Sequence, residues 1–213
     1  MMPVKCFFLE PTEKVARFLR RYTSSHSNQN EQYKCSVNGY HDTWTPIENG
    51  VEGDGITIDN YKVDQRWPKT CLHCGYEFTN EERDNWQLFS DRIYRRIDNG
   101  EEMTLRKAPD GAMWYADWMI HGRALDHPDR TYIGPDGHCL VVRVVGGHDW
   151  MVDAQASNCT LPDDKVHKCW CRSGDPMTGV VTVNKSCASC SAGAGSIQTS
   201  TWHGFLRDGM LVE

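Results

Sequence analysis

"TNEERDNWQLFSDRIYRRIDNG", residues 79–100, is the stretch on which the fold class turns. Thr79 followed by Glu82 fits a capping box, Trp86, Phe89, Ile93 and Ile97 recur at helical spacing, and Asn99-Gly100 offers a left-handed stop. Read this way, 79–99 is one long helix whose aromatic and aliphatic stripe packs on a core. A shorter amphipathic helix is expected over 11–22, "PTEKVARFLRRY", with Pro11 in its first turn and Val15, Phe18, Leu19 and Tyr22 on one face.

Downstream the texture changes. Short apolar runs, "HCLVVRVV", "DWMVD", "VVTV" and "WHGFLRDGMLV", are separated by turn signals such as "APDG", "GPDG", "VGG" and "SGDP", and Asp208-Gly209 is a hairpin turn candidate. Upstream, "ENGVEGDGITIDNYKVD" alternates as a strand or hairpin would. The expected class is α+β: a small zinc-stapled N-terminal part with one long helix over residues 1–105, and a β-rich half with hairpins over 106–213. One continuous domain is equally compatible. "GAMWYADWMIHG", 111–122, reads either as a buried strand pair or as an exposed aromatic binding patch.

The chain has 213 residues and 39% hydrophobic content, enough for a sizeable core. Its 23 basic and 29 acidic residues, net −6, argue against a broad grip on nucleic acid. The only basic cluster, Arg92, Arg95 and Arg96, is flanked by acid. The apolar run in "MMPVKCFFLEPTEKVARF" is broken by Glu10, too short for an export signal or membrane span, so a reducing cytoplasm is expected. There, ten cysteines grouped with histidines point to metal rather than disulfides.

Ahead of the 79–99 segment lies "CLHCG", in which Cys71 and Cys74 present two thiolates around a tight turn relieved by Gly75. Cys35 and His41 in "KCSVNGYHD" are the candidates to complete that site, and His73 is expected to point away. A second cluster holds Cys159, His167, Cys169, Cys171, Cys187, Cys190 and His203. Spacing alone leaves two sets open: four thiolates from Cys169, Cys171, Cys187 and Cys190, or Cys159, His167, Cys169 and Cys190. The cofactor expected is zinc, as one or two structural ions. No His-Glu-x-x-His, deaminase, Walker or serine-elbow pattern is present, and no catalytic or cofactor-binding residue is assigned beyond the metal ligands. "AGAGS", 192–196, lacks the Lys-Ser/Thr ending of a phosphate loop.

"RWPKTCLHCGYEF", "GEEMTLRKAPDGAMWYADW", "SNCTLPDDKVHKCWCRSGDP" and "SAGAGSIQTSTWHGFLRDG" resemble the blocks of a family of small proteins of tailed bacteriophages and prophages, from about residue 33 to the C-terminus. The resemblance implies ligands at Cys71, Cys74, Cys159, His167, Cys169, Cys190 and His203, with His41-Asp42 matching a His-Asp. It favours the Cys159, His167, Cys169, Cys190 set, with Cys171, Cys187 and His203 as alternates.

The function expected is a zinc-stabilised, non-enzymatic phage structural or accessory protein. It would be a virion component of head-decoration or neck type, present in the host cytoplasm before assembly. Its partners would be other virion proteins, including capsid and further copies of the chain, with no membrane. The alternatives are a metal-dependent hydrolase using His203, His148 or Asp149, and a zinc-ribbon nucleic-acid binder.

Overall fold

The computed structural model describes residues 2–21, 35–37, 45–51, 69–71, 73–80, 86–120, 132–164, 167–185, 190 and 195–213, with backbone alone at 18–21, 45–51 and 86–88. Its strands are β1 (Val4–Lys5), β2 (Phe7–Arg21), β3 (Thr45–Val51), β4 (Trp86–Arg96), β5 (Glu102–Thr104), β6 (Ala112–Tyr115) and β7 (Leu140–Val144). They continue with β8 (His148–Met151), β9 (Cys171–Asp175), β10 (Val180–Asn184), β11 (Ile197–Gln198), β12 (His203–Arg207) and β13 (Met210–Val212). The remaining elements among the described residues are single 3-10 turns at Leu105–Lys107, Asp117–Met119 and Pro176–Thr178.

Over 86–96 the expected long helix is instead strand β4, 81–85 lying outside the described residues, and the α+β class gives way to a β architecture. Phe89, Ile93 and Ile97 are four residues apart, a spacing that lies on one face of a strand as well as of a helix. Asn99-Gly100 serves as a turn: Gly100 adopts φ +78°, the Gly100 N–H donates to Arg96 O at 2.9 Å, and the Arg96 N–H to Glu101 O at 2.9 Å. The chain then returns into β5.

The expected 11–22 helix is likewise strand β2, and Tyr22 lies outside the described residues. Val15 and Arg17, two apart, are both buried, and a register shift between them in the β2/β3 ladder explains why the apolar pattern did not alternate cleanly. Pro11 falls between the residues that pair with β6 (Phe7, Phe8) and those that pair with β3 (Lys14 to Leu19).

The chain divides into two compact units, Met1–Glu10 with Tyr94–Glu213, and Pro11–Ile93. One sheet runs β5-β4-β2-β6-β7-β8, with β3 also paired to β2; β1-β13-β12-β11 form a second, and β9-β10 a third. Within the larger unit the central strands are buried on both faces. Phe8, Met113, Leu140, Val142 and Val144 enter one core with Leu206, Leu211 and Ile197, while Phe7, Leu9, Trp114, Cys139 and Val141 enter another with Tyr94. Burial on both faces is why "CFFL" and "CLVV" read as continuous apolar runs rather than alternating ones.

Within 111–122 the buried reading holds for β6, where Met113 is fully buried and Trp114 3% exposed; Trp118, at 55%, is the exposed aromatic there. Asp208-Gly209 closes the β12/β13 hairpin with both residues at positive φ, +48° and +71°, the geometry of a type I′ turn.

Burial pushes the thiols of Cys6 and Cys139 up from 9.0 to about 12; at Cys139 the carboxylates of Asp153 and Asp117 add to the effect. The unfolded thiols ionise near pH 9, so between pH 9 and 12 the unfolded chain holds fewer protons than the folded one. Stability is then full below pH 9 and lost as pH rises toward 12. The thermal midpoint is expected to fall steadily from pH 8.5 to 10.5, and Cys6→Ala is expected to flatten that fall, measured by melting curves across pH.

Candidate metal centres

In the smaller unit, the Cys71 loop is a tight knuckle. The Cys71 N–H donates to Tyr76 O at 2.8 Å, the Gly75 N–H to Cys71 O at 2.9 Å, and the Phe78 N–H to Lys69 O at 2.9 Å; Thr70 bridges to Glu77. Gly75 takes φ +74°, which a side chain would resist. The result turns the Cys71 and Cys74 sulfurs toward Cys35, whose Sγ lies 4.0 Å from that of Cys71, and the three sulfurs lie within 4.8 Å of one another. Cys35 and Cys71 are buried, and His73 is exposed and outside the three-sulfur group. The Cys74 thiol receives the Tyr76 N–H, which lowers its pKa, but burial and the Cys35 and Cys71 sulfurs raise it further, leaving it above its ordinary value. His41 lies outside the described residues.

In the larger unit, Cys159, His167, Cys169 and Cys190 place one donor atom each within 4.8 Å of all the others. Cys169 Sγ lies 3.4 Å from His167 Nε2 and 3.7 Å from Cys190 Sγ. A tetrahedral ion with metal–sulfur bonds near 2.3 Å and metal–nitrogen bonds near 2.0 Å requires edges of about 3.8 Å between sulfurs and about 3.5 Å between sulfur and nitrogen. The observed edges match that size and are far longer than a disulfide of about 2.05 Å.

The chain around this site is arranged to hold the four donors. Ala156 O accepts the Cys159 N–H at 3.0 Å, and the Leu161 N–H returns to Cys159 Sγ at 3.3 Å. Asp164 Oδ1 accepts the His167 N–H at 3.1 Å, and Asp164 O accepts Gln155 Nε2 at 2.7 Å. The Ala156 N–H reaches Cys169, and Lys185 Nζ lies 3.7 Å from Cys190 Sγ. Amide and ammonium donors aimed at sulfur favour the thiolate that binds metal. In both centres, one of these amides sits two residues after its cysteine: Tyr76 after Cys74, Leu161 after Cys159. Without a cation, burial drives the Cys169 thiol up to about 12.

Of the alternates, Cys171 is disulfide-bonded and so is not a ligand; Cys187 lies outside the described residues. His203 sits exposed on β12, outside the four-donor group. The other two residues named for a hydrolase make contacts outside both donor groups. His148 Nε2 lies 3.2 Å from Ser200 Oγ, and Asp149 is bidentate to Arg143 at 2.7 and 3.0 Å. Among the described residues, neither donor group includes a carboxylate.

Sequence reasoning missed a second polar constellation. Arg172 on β9 binds Asp153 at 3.1 and 3.0 Å and reaches both oxygens of Asp136, which also accepts the Tyr115 hydroxyl at 2.8 Å. Tyr115 stacks on His138 at 4.2 Å, and His138 Nδ1 meets Asp117 Oδ2 at 2.6 Å. The "GPDG" turn at 134–137 was the available signal, since Asp136 comes from it.

No protein-family model, curated protein or solved structure matches the chain. Among the described residues, no helix is long and apolar enough to cross a membrane.

Proposed function

We propose that the chain is a zinc-stapled, non-enzymatic binding protein of a tailed-phage particle, acting through contacts with other virion proteins. The observation that supports the non-enzymatic part is the Cys159, His167, Cys169, Cys190 group: four protein donors within 4.8 Å of one another, three of them buried, are as many as a closed tetrahedral zinc site takes. Three thiolates and one imidazole are the donor set zinc favours. Lys185 offsets the surplus negative charge that three thiolates leave on a divalent ion. The particle assignment is supported by the resemblance of the four sequence blocks to phage proteins.

The metal part is tested by elemental analysis of the full-length protein purified without added metal. Two equivalents of zinc per chain are expected, one per centre, together with X-ray absorption showing sulfur-rich four-coordination. An ion with three protein ligands and an oxygen at the 159/167/169/190 centre would favour the hydrolase. The particle part is tested by mass spectrometry of purified virions, where the chain is expected at a stoichiometry matching a shell or ring; its absence there would overturn that assignment.

A further inference from the structure

We propose that the cleft beside the second metal centre binds a short, neutral oligosaccharide. The cleft has a volume of about 490 Å³, within the range of small-molecule sites. Its floor holds two indoles, Trp150 of β8 and Trp170, whose rings meet edge to face at 5.4 Å and 83°. One wall is the 154–158 segment, which runs into Cys159; the other is Gly195, Ser196 and Gln198, which follow Cys190. Trp170 itself stands between Cys169 and the disulfide-bonded Cys171. The inference rests on the proposed metal staple for the rigidity of both walls.

Three observations select the ligand class. The first is the aromatic floor: an indole face carries negative charge density and attracts the C–H bonds that a pyranose ring presents on its flat side. The second is the buried Trp170 Nε1, which has no hydrogen-bond partner. Leaving such a donor unmade costs free energy; the atom is covered by protein in the cleft, and a sugar hydroxyl that met it as the indole turned would be the acceptor it lacks.

The third is the charge of the rim. The polar groups are amides and hydroxyls, Gln155, Asn158, Ser196 and Gln198, and amides carry the paired donor and acceptor that adjacent hydroxyls require. Asp149 is the only charged residue among the described lining, and Arg143 already occupies both its oxygens. With no lysine, arginine or histidine in that lining, a phosphate, a nucleic-acid backbone or an acidic glycan would find no counter-charge.

The test uses the zinc-loaded, full-length protein and reads intrinsic tryptophan fluorescence and calorimetry. The probes are neutral trisaccharides of glucose, galactose and N-acetylglucosamine, with inorganic phosphate and a thymidine oligonucleotide as charged comparators. At least one neutral sugar is expected to shift the emission and saturate. Asn158→Ala with Gln198→Ala, both exposed positions, is expected to weaken it about tenfold or more, and Trp170→Phe, which keeps a ring and removes the N–H, about fivefold.

The inference is overturned if no neutral sugar responds at up to about 10 mM, if the double variant binds as the parent does, or if only the charged probes bind. Zinc content measured on the same samples separates the two proposals. A zinc-loaded protein that binds no sugar removes this inference alone, and a protein that binds sugar without zinc removes the staple.

Discussion

Replacing Cys169 by serine is expected to release one of two zinc equivalents and to unfold the chain around residues 153–171. Cys169 sits at the centre of the group, 3.4 Å from His167 Nε2 and 3.7 Å from Cys190 Sγ, and only 1% of it is exposed. A structural zinc contributes roughly 10–16 kcal/mol of apparent folding free energy, against a net stability of about 5–15 kcal/mol for a whole domain. Even if most of that were recovered by relaxation, a loss of about 4 kcal/mol lowers the melting midpoint of a chain this size by about 8–16 °C. His167→Cys should keep both the zinc and most of the stability, because a fourth thiolate is an equally good ligand. Cys35→Ser should release the other equivalent and leave this one in place. The checks are zinc content by elemental analysis and melting curves with and without chelator. Two retained equivalents in Cys169→Ser, with a melt within 2 °C of the parent, would dispose of the four-donor site.

The Cys/His donor groups were legible in sequence for the reason the helices were not. Thiols and imidazoles are scarce, so Cys71-x2-Cys74 or His167-x-Cys169 has few uses, and the donor groups found are drawn from those named in advance. Apolar spacing is common and ambiguous. Phe89, Ile93 and Ile97 satisfy a period of two as well as 3.6, and Asn99-Gly100 can end a helix or turn a hairpin with the same left-handed backbone. The i to i+3 step from Trp86 to Phe89 pointed to a helix, yet pairing in a long sheet prevailed over that local preference. Cys169-x-Cys171 misled in another way: the second cysteine, at the first residue of β9, is spent on a disulfide. Least legible was Arg172. Its partners Asp153 and Asp136 lie 19 and 36 residues away, and nothing local in "CWCRSGDP" announces them.

Arg172 is the second residue whose loss should be severe. Its side chain is 3% exposed and that of Asp153 4%, while Asp136 is 29% exposed and keeps contact with water. The guanidinium joins β9 to two loops of the β6-β7-β8 sheet, the 134–137 turn and the second residue after β8, so it fixes the strand that begins two residues beyond candidate ligand Cys169. Burial raises the Asp153 pKa; Arg172 opposes the rise by charge and hydrogen bond, and Lys168, whose ammonium donates to the Asp153 backbone oxygen at 3.3 Å, opposes it less.

Arg172→Met is therefore expected to cost about 3–5 kcal/mol at pH 7, the cost of stranding a buried charge. Its pH dependence follows from the same carboxylate. In the variant the folded pKa of Asp153 lies further above the unfolded value, so the penalty is absent at low pH and grows as pH rises through it. Lowering the pH from 7 to 5 should narrow the gap between variant and parent. Arg172→Met combined with Asp153→Leu should recover most of the loss, because two apolar groups of similar volume leave no charge behind, whereas Asp153→Asn alone leaves Arg172 its Asp136 partner and should cost less than Arg172→Met. Urea denaturation of the four proteins at both pH values measures this, with zinc content as the control that the metal centre is intact. A cost for Arg172→Met below about 1 kcal/mol, unchanged between pH 5 and 7, would mean that this buried cluster is not what holds β9 to the sheet.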